Sequence, residues 1–239
     1  MGESGLDATS RQWRTMSVGT GIAGLAGFVL VAVSQALVQT GGGEPAFDAP
    51  GEEILRFFET RNDSLYPIGS FLGLMAVLAL LWFFAGFWAV LRSAEGTPAW
   101  RSVAAFGSGV AFVVLLMRPG WDLAGIRADE GLDPQLARFA YDDGNLGFAN
   151  AWLALASFLF AAGWIIVSSR AVPAWLGWVA LVAAVGFLVG RAFWTTSIWL
   201  VPYAIYWLWM IVISVQLLRG RWRPEPSRER FDRLGRGME

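Results

Sequence analysis

The sequence predicts an all-α membrane protein, a bundle of six transmembrane helices. Three observations predict it. Of 239 residues, 56% are hydrophobic and 15% charged, the mean hydropathy is +0.50 and tryptophan occurs 14 times, a composition made for lipid rather than water. Six uncharged runs approach or exceed the roughly 20 residues that a helix rising about 1.5 Å per residue needs to cross about 30 Å of hydrocarbon. The charges between those runs are distributed asymmetrically, as in proteins threaded through a bilayer.

The runs are taken in chain order. The first is Ser17 to Gln39, the second Leu65 to Leu91, the fourth Asn145 to Ser169 and the fifth Ala171 to Gly190. The third, Ser102 to Met117, has only 16 residues between Arg101 and Arg118, so both arginines must snorkel toward the headgroups if it spans. The sixth run is Ala192 to Leu218. Arg191 would cost about 2.5–3.5 kcal/mol at mid-bilayer, which places a tight hairpin from Arg191 to about Ser197 and leaves 198–218 as the sixth span. Residues 1–16 form an amino tail and 219–239 an arginine-rich carboxyl tail.

All 18 basic residues are arginine, and their placement orients the chain. The amino tail, the second and fourth connections and the carboxyl tail hold 12 of them. The other six, Arg56, Arg61, Arg118, Arg127, Arg138 and Arg191, lie on the opposite side, mostly in two long loops that also carry twelve acids. Because cytoplasmic loops carry the arginine excess, both ends are expected in the cytoplasm. The first run is too long for a signal-peptide core and reads as a retained span. Met1-Gly2 is not followed by Ser or Thr at position 6, where Leu6 stands, so the myristoylation pattern fails.

Each outer loop is expected to carry one short amphipathic surface helix. In the first, Glu52 to Thr60 puts Ile54, Leu55 and Phe58 on one face. In the second, Asp133 caps a helix that starts at Pro134 and ends near Asp142 and Asp143. A parallel internal repeat is also suggested. Ile54, Arg56 and Phe57 match Leu136, Arg138 and Phe139, and Pro98-Ala99-Trp100 matches Pro173-Ala174-Trp175. The Pro-Ala-Trp turns have a mechanical role, with proline opening a helix and tryptophan at the interface. In the carboxyl tail, Arg219, Arg221 and Arg223 suit anionic lipid, and the pairs Arg228 with Asp232 and Glu229 with Arg233 suit a solvated helix or a docking peptide.

The absences limit the chemistry. Without Lys, His or Cys there is no Schiff-base lysine, no histidine ligand to haem, no thiolate and no disulfide, and neither a metal nor a cofactor is expected. The net charge of −1 gives no reason to expect nucleic acid. No Asp or Glu lies within an apolar run, which argues against a midplane carboxylate relay. Serines and tyrosines in the spans, Ser34 and Ser70 among them, ordinarily bond to a neighbouring helix.

Two groups of residues are candidate sites. Arg118, Asp142, Asp143, Asn145, Asn150 and Arg191 fall at the outer ends of spans three to five and would make a polar mouth for a small polar or anionic ligand. The plain alternative is that each arginine offsets a helix dipole and pairs with a nearby acid. Trp199, Tyr203, Tyr206 and Met210 recur at helical spacing in span six, either lining an apolar pocket for a lipid or packing against other helices. Small residues at fourth positions, Gly19-Ala23-Gly27, Gly69-Gly73, Ala105-Gly109 and Gly186-Gly190, mark close helix contacts, and one such face could serve a homodimer.

The stretch Leu80-Leu81-Trp82-Phe83-Phe84-Ala85-Gly86-Phe87-Trp88-Ala89-Val90-Leu91-Arg92, followed by Glu95-Gly96, together with the six-span plan over roughly 17–219, resembles uncharacterised multi-pass bacterial membrane proteins of the domain-of-unknown-function type. The resemblance implies a bacterial plasma-membrane location and carries no catalytic motif. The expected function is non-enzymatic binding or transport of a small polar ligand or lipid through the outward mouth. The alternative is a structural or assembly subunit that docks a protein partner through its outer helices or tail. An enzyme would have only loop carboxylates such as Asp122 and Asp129 to work with.

Overall fold

A computed structural model describes residues 3–41, 43–60, 65–169 and 172–220. Its helices are α1 (Glu3–Val38), α2 (Gly51–Thr60), α3 (Leu65–Glu95), α4 (Trp100–Leu116), α5 (Pro119–Arg127), α6 (Pro134–Ser169), α7 (Ala174–Ala192) and α8 (Leu200–Leu218), with single 3-10 turns at Gln39–Gly41, Ala128–Glu130 and Ser197–Trp199. No strand occurs among the described residues. Six segments are long and apolar enough to cross a membrane, and the chain is an all-α multi-pass membrane protein. The tail from 221 onward, Arg61 and Arg170 lie outside the described residues.

The six long helices close a ring in chain order. α1 packs on α3, α3 on α4, α4 on α6, α6 on α7, α7 on α8, and α8 returns to α1. The short α3–α4, α6–α7 and α7–α8 connections force those spans to run antiparallel as neighbours. The centre of the ring is filled by Phe83, Phe84, Phe87, Phe112, Phe158, Tyr206 and Trp209, each at most 2% exposed. Their rings meet mostly edge to face, as with Phe84 on Phe158 at 4.8 Å and Phe87 on Trp209 at 5.9 Å, the arrangement aromatic quadrupoles prefer. Trp209 Nε1 also donates to the Leu176 carbonyl at 2.9 Å, locking α8 to α7.

Glycine sets the closest crossings. A Cβ on Gly163 would lie 2.7 Å from the Gly177 carbonyl oxygen, and one on Gly177 2.8 Å from that of Gly163, so α6 and α7 touch backbone to backbone. On α1 the packed glycines are Gly21, Gly24 and Gly27, which face Ser214, Phe83 and Leu80, whereas Gly19, expected in that stripe, faces open space.

At the end of the bundle holding the loops α3–α4 and α6–α7, Glu95 fastens three helices. Its carboxylate, 1% exposed, accepts Arg101 Nε at 2.9 Å, the Arg101 amide at 2.9 Å and the Ser102 amide at 2.8 Å. It thereby satisfies two of the orphan N–H groups that open α4. Arg101 extends the tie to α6 through Ser168 Oγ at 3.2 Å and lies 5.2 Å from the Trp164 ring centre. The expected snorkelling arginine is therefore clamped in place. Trp100 and Trp175, at the starts of α4 and α7, are 58% and 53% exposed, as interfacial anchors would be.

The opposite end carries a cap. α6 has 36 residues, about 54 Å of helix, well beyond a hydrocarbon core of about 30 Å. The surface helix expected to end at Asp142 and Asp143 is instead the first part of this continuous span: Ala137, Ala140, Tyr141 and Gly144 stay buried through the acids, and nothing there breaks the helix. The separate short helix of this loop is α5, which resumes after a break at Met117-Arg118. α2, α5 and the start of α6 share a second core of Ile54, Phe57, Phe58, Trp121, Ala137 and Tyr141. Of the face expected on α2, Ile54 and Phe58 are buried while Leu55 is half-buried. At the positions that suggested a repeat, Ile54 and Phe57 are 0% and 8% exposed but Leu136 and Phe139 are 59% and 70% exposed, so the matched residues do not share an environment.

Candidate ligand cavity

A cavity of about 150 Å³ lies inside the ring at its cap end. Every long helix except α7 contributes to its wall, with α5 across the mouth. The wall is layered. Ser34 donates to the Gly69 carbonyl at 2.7 Å, which brings Ser34 and Gln35 of α1 level with Ser70 of α3. Ser70 in turn faces the Asp122 carboxylate of α5. Tyr66, Arg118 and Trp121 complete this polar rim. Deeper along α1 and α3, with α6 and α8 joining the wall, the lining becomes Val31, Leu74, Val77, Leu80, Phe148 and Trp207. Ser70 to Leu80 is ten residues, about 15 Å of helix rise.

The cap holds the rim. Trp121 is 2% exposed, stacks on Tyr141 at 5.1 Å and 25°, and donates its indole N–H to Tyr66 Oη at 3.1 Å. Tyr141 donates to the Pro45 carbonyl at 2.6 Å. Arg118, in the break between α4 and α5, sets its guanidinium 4.6 Å from the Trp121 ring centre, a cation–π contact. No ion pair within 4 Å involves Arg118 among the described residues, although Asp122 stands one turn along and feels its charge.

The two sequence-derived candidate groups contribute one member each to this lining, Arg118 and Tyr203. Trp199 extends the aromatic wall, with its ring 5.8 Å from Tyr203 and stacked on Trp152 at 5.3 Å. Tyr206 and Met210 are fully buried and bonded to each other, Oη to Sδ at 3.5 Å. The remaining polar candidates lie elsewhere. Arg191 Nε donates to Asn150 Oδ1 at 3.0 Å, joining α7 to α6. Asn145 donates to the Tyr141 carbonyl on its own helix at 3.0 Å. Asp142 stands 3.9 Å from Arg138, and Asp143 is exposed beside Gly120.

Tyr66 and Trp121 were not singled out in the sequence, and Ser70 and Asp122 only as a serine expected to bond a neighbouring helix and a loop carboxylate open to an enzyme. The available signal was the spacing of Ser70, Gly73, Val77 and Leu80 on one helical face, but nothing local links that face to a loop aspartate 52 positions after Ser70. Among the described residues no cluster of acids is placed to hold a metal ion. Leu80 on the cavity wall is also part of the buried core that holds Phe83, Phe84 and Phe87. Comparisons with protein-family models, with curated proteins and with solved structures find no match for this chain.

Proposed function

We propose that this is a non-enzymatic membrane protein of the bacterial plasma membrane, with both ends in the cytoplasm, that binds a small polar or amphipathic solute or lipid in the cavity at its cap end. The arginine asymmetry supports placing the cap outside. The observation that carries the ligand reading is Arg118, a cation without a hydrogen bond or ion pair among the described residues, on the wall of a cavity inside the helix ring. A guanidinium with no polar partner among the described residues keeps its donors available to an anionic group of a ligand. Transport would add an alternation to this binding step.

Native mass spectrometry of the full-length protein extracted from its own membrane tests the reading. The wild type should retain a small molecule or lipid that Arg118→Met, which keeps the stem packed on Trp121, releases. Adding that molecule back at 100 times Kd should stabilise the wild type by about 2.7 kcal/mol, a Tm rise of roughly 5–10 °C. An empty wild type, or equal retention by Arg118→Met, would refute it. A docking role is the second reading, favoured by Leu136 and Phe139, 59% and 70% exposed on the protruding part of α6.

A further inference from the structure

Arg118 and Asp122 both line the polar rim of the cavity, one turn apart, with opposite charges. They are not joined by an ion pair within 4 Å. Asp122 is oriented by Ser70, and Arg118 by the face of Trp121. Two opposite charges held apart on one wall give a rim of zero net charge, which has no reason to prefer a simple anion or a simple cation. It is complementary to a ligand that carries both charges a few ångströms apart, its anion accepting from the planar fork of the guanidinium and its cation donating to the carboxylate. Beneath the rim, Leu80, Val77, Phe148 and Trp207 demand an apolar body. The volume, about 150 Å³, decides the size: engineered cavities of about that volume hold one benzene-sized group.

Resting on the ligand-binding reading above, we infer that the cavity recognises a zwitterion bearing an ammonium and an anionic group next to a small apolar portion. Two sources supply this chemistry, a free apolar amino acid such as leucine and the phosphoethanolamine headgroup of a membrane lipid. A bare anion such as a phosphatidylglycerol headgroup satisfies Arg118 and leaves Asp122 facing it uncompensated.

The test uses delipidated full-length protein offered an equimolar mixture of phosphatidylethanolamine and phosphatidylglycerol, and separately L-leucine, with bound ligand counted by native mass spectrometry. Either phosphatidylethanolamine is retained over phosphatidylglycerol by about tenfold or more, the scale of one charge-assisted hydrogen bond, or L-leucine binds and displaces lipid. The first result assigns the lipid as source and the second the free solute. Asp122→Asn keeps the shape and a partner for Ser70 but removes the negative charge. It should reverse the lipid preference toward phosphatidylglycerol, or weaken leucine about tenfold while admitting its des-amino analogue, isocaproate. Equal retention of both lipids with no leucine binding, or a preference unmoved by Asp122→Asn, overturns the zwitterion. If phosphatidylglycerol alone binds and Arg118→Met releases it, the zwitterion falls while the cavity remains a ligand site. If nothing binds to any form, both fall.

Discussion

Replacing Glu95 with alanine removes a carboxylate that ties α3 to α4 and, through Arg101, to α6. Three hydrogen bonds disappear, and the Arg101 and Ser102 amides return to the orphan state of an uncapped helix start. Loss of a cap alone costs about 0.5–2 kcal/mol. The bond to the Arg101 guanidinium is charge-assisted and worth about 1.5–3 kcal/mol, discounted because Arg101, 18% exposed, can turn toward headgroups or water. The sum is about 2–4 kcal/mol, which for a chain of this size lowers Tm by roughly 5–15 °C. The 14 tryptophans give an intrinsic-fluorescence melting curve in detergent without a dye. Glu95→Gln should fall between the two: its oxygen still accepts from Arg101, but its NH2 group opposes the Ser102 N–H. Arg101→Ala and the double variant complete a cycle, with a coupling of about 1 kcal/mol or more expected from residues in direct contact. An Ala variant melting within about 2 °C of the wild type, or Gln as damaging as Ala, would show that the buried carboxylate does not hold the helices together.

Other consequences are read the same way. Gly177→Ala places a methyl against the Gly163 carbonyl, where backbone cannot yield, and should cost about 1–3 kcal/mol in a thermal melt; an unchanged Tm would mean that α6 and α7 do not meet at these glycines. Arg191→Ala breaks the bond to Asn150 but touches no part of the cavity lining. A small Tm loss with ligand retention intact is expected, and release of ligand would enlarge the site toward α7. Because the chain has no cysteine, Asp143→Cys, at an exposed position, should react with an impermeant maleimide on intact cells; labelling only after lysis would invert the topology.

Much of the fold was written into the composition. Runs of apolar residues near the length of a bilayer crossing have no other comfortable structure, because every backbone group must be bonded inside its own segment, and each of the six long apolar helical segments overlaps its run. Boundaries were legible only where a charge or proline marks them. Charge is a poor stop signal for a helix: α6 passes Arg138, Asp142 and Asp143 without interruption because Ala137, Ala140, Tyr141 and Gly144 keep a buried face toward the cap. The third span looked short because its run ends at Arg118, and the helix does stop at Leu116, with α5 starting at Pro119 after a two-residue break. Nothing local in the sequence marks the role of Glu95, which depends on the α4 start folding back over it.

The cavity was only partly legible, for a physical reason. Arg118 and Tyr203 were visible, one as a charge beside a span and the other on an aromatic stripe, but no local pattern could place them on one wall. What joins them is closure of the ring by α8 against α1, a contact between the two ends of the chain. The rim residues Ser70 and Asp122 meet for a related reason: α5 leaves the bundle axis at Arg118 and lays Asp122 across the start of α3. The cap that positions α5 is built from aromatic residues of three elements, Phe58, Trp121 and Tyr141. Its stability and the geometry of the charged rim are therefore coupled. A change as remote from the cavity as loss of the Tyr141 bond to Pro45 should loosen the cap first and the separation of Arg118 from Asp122 with it.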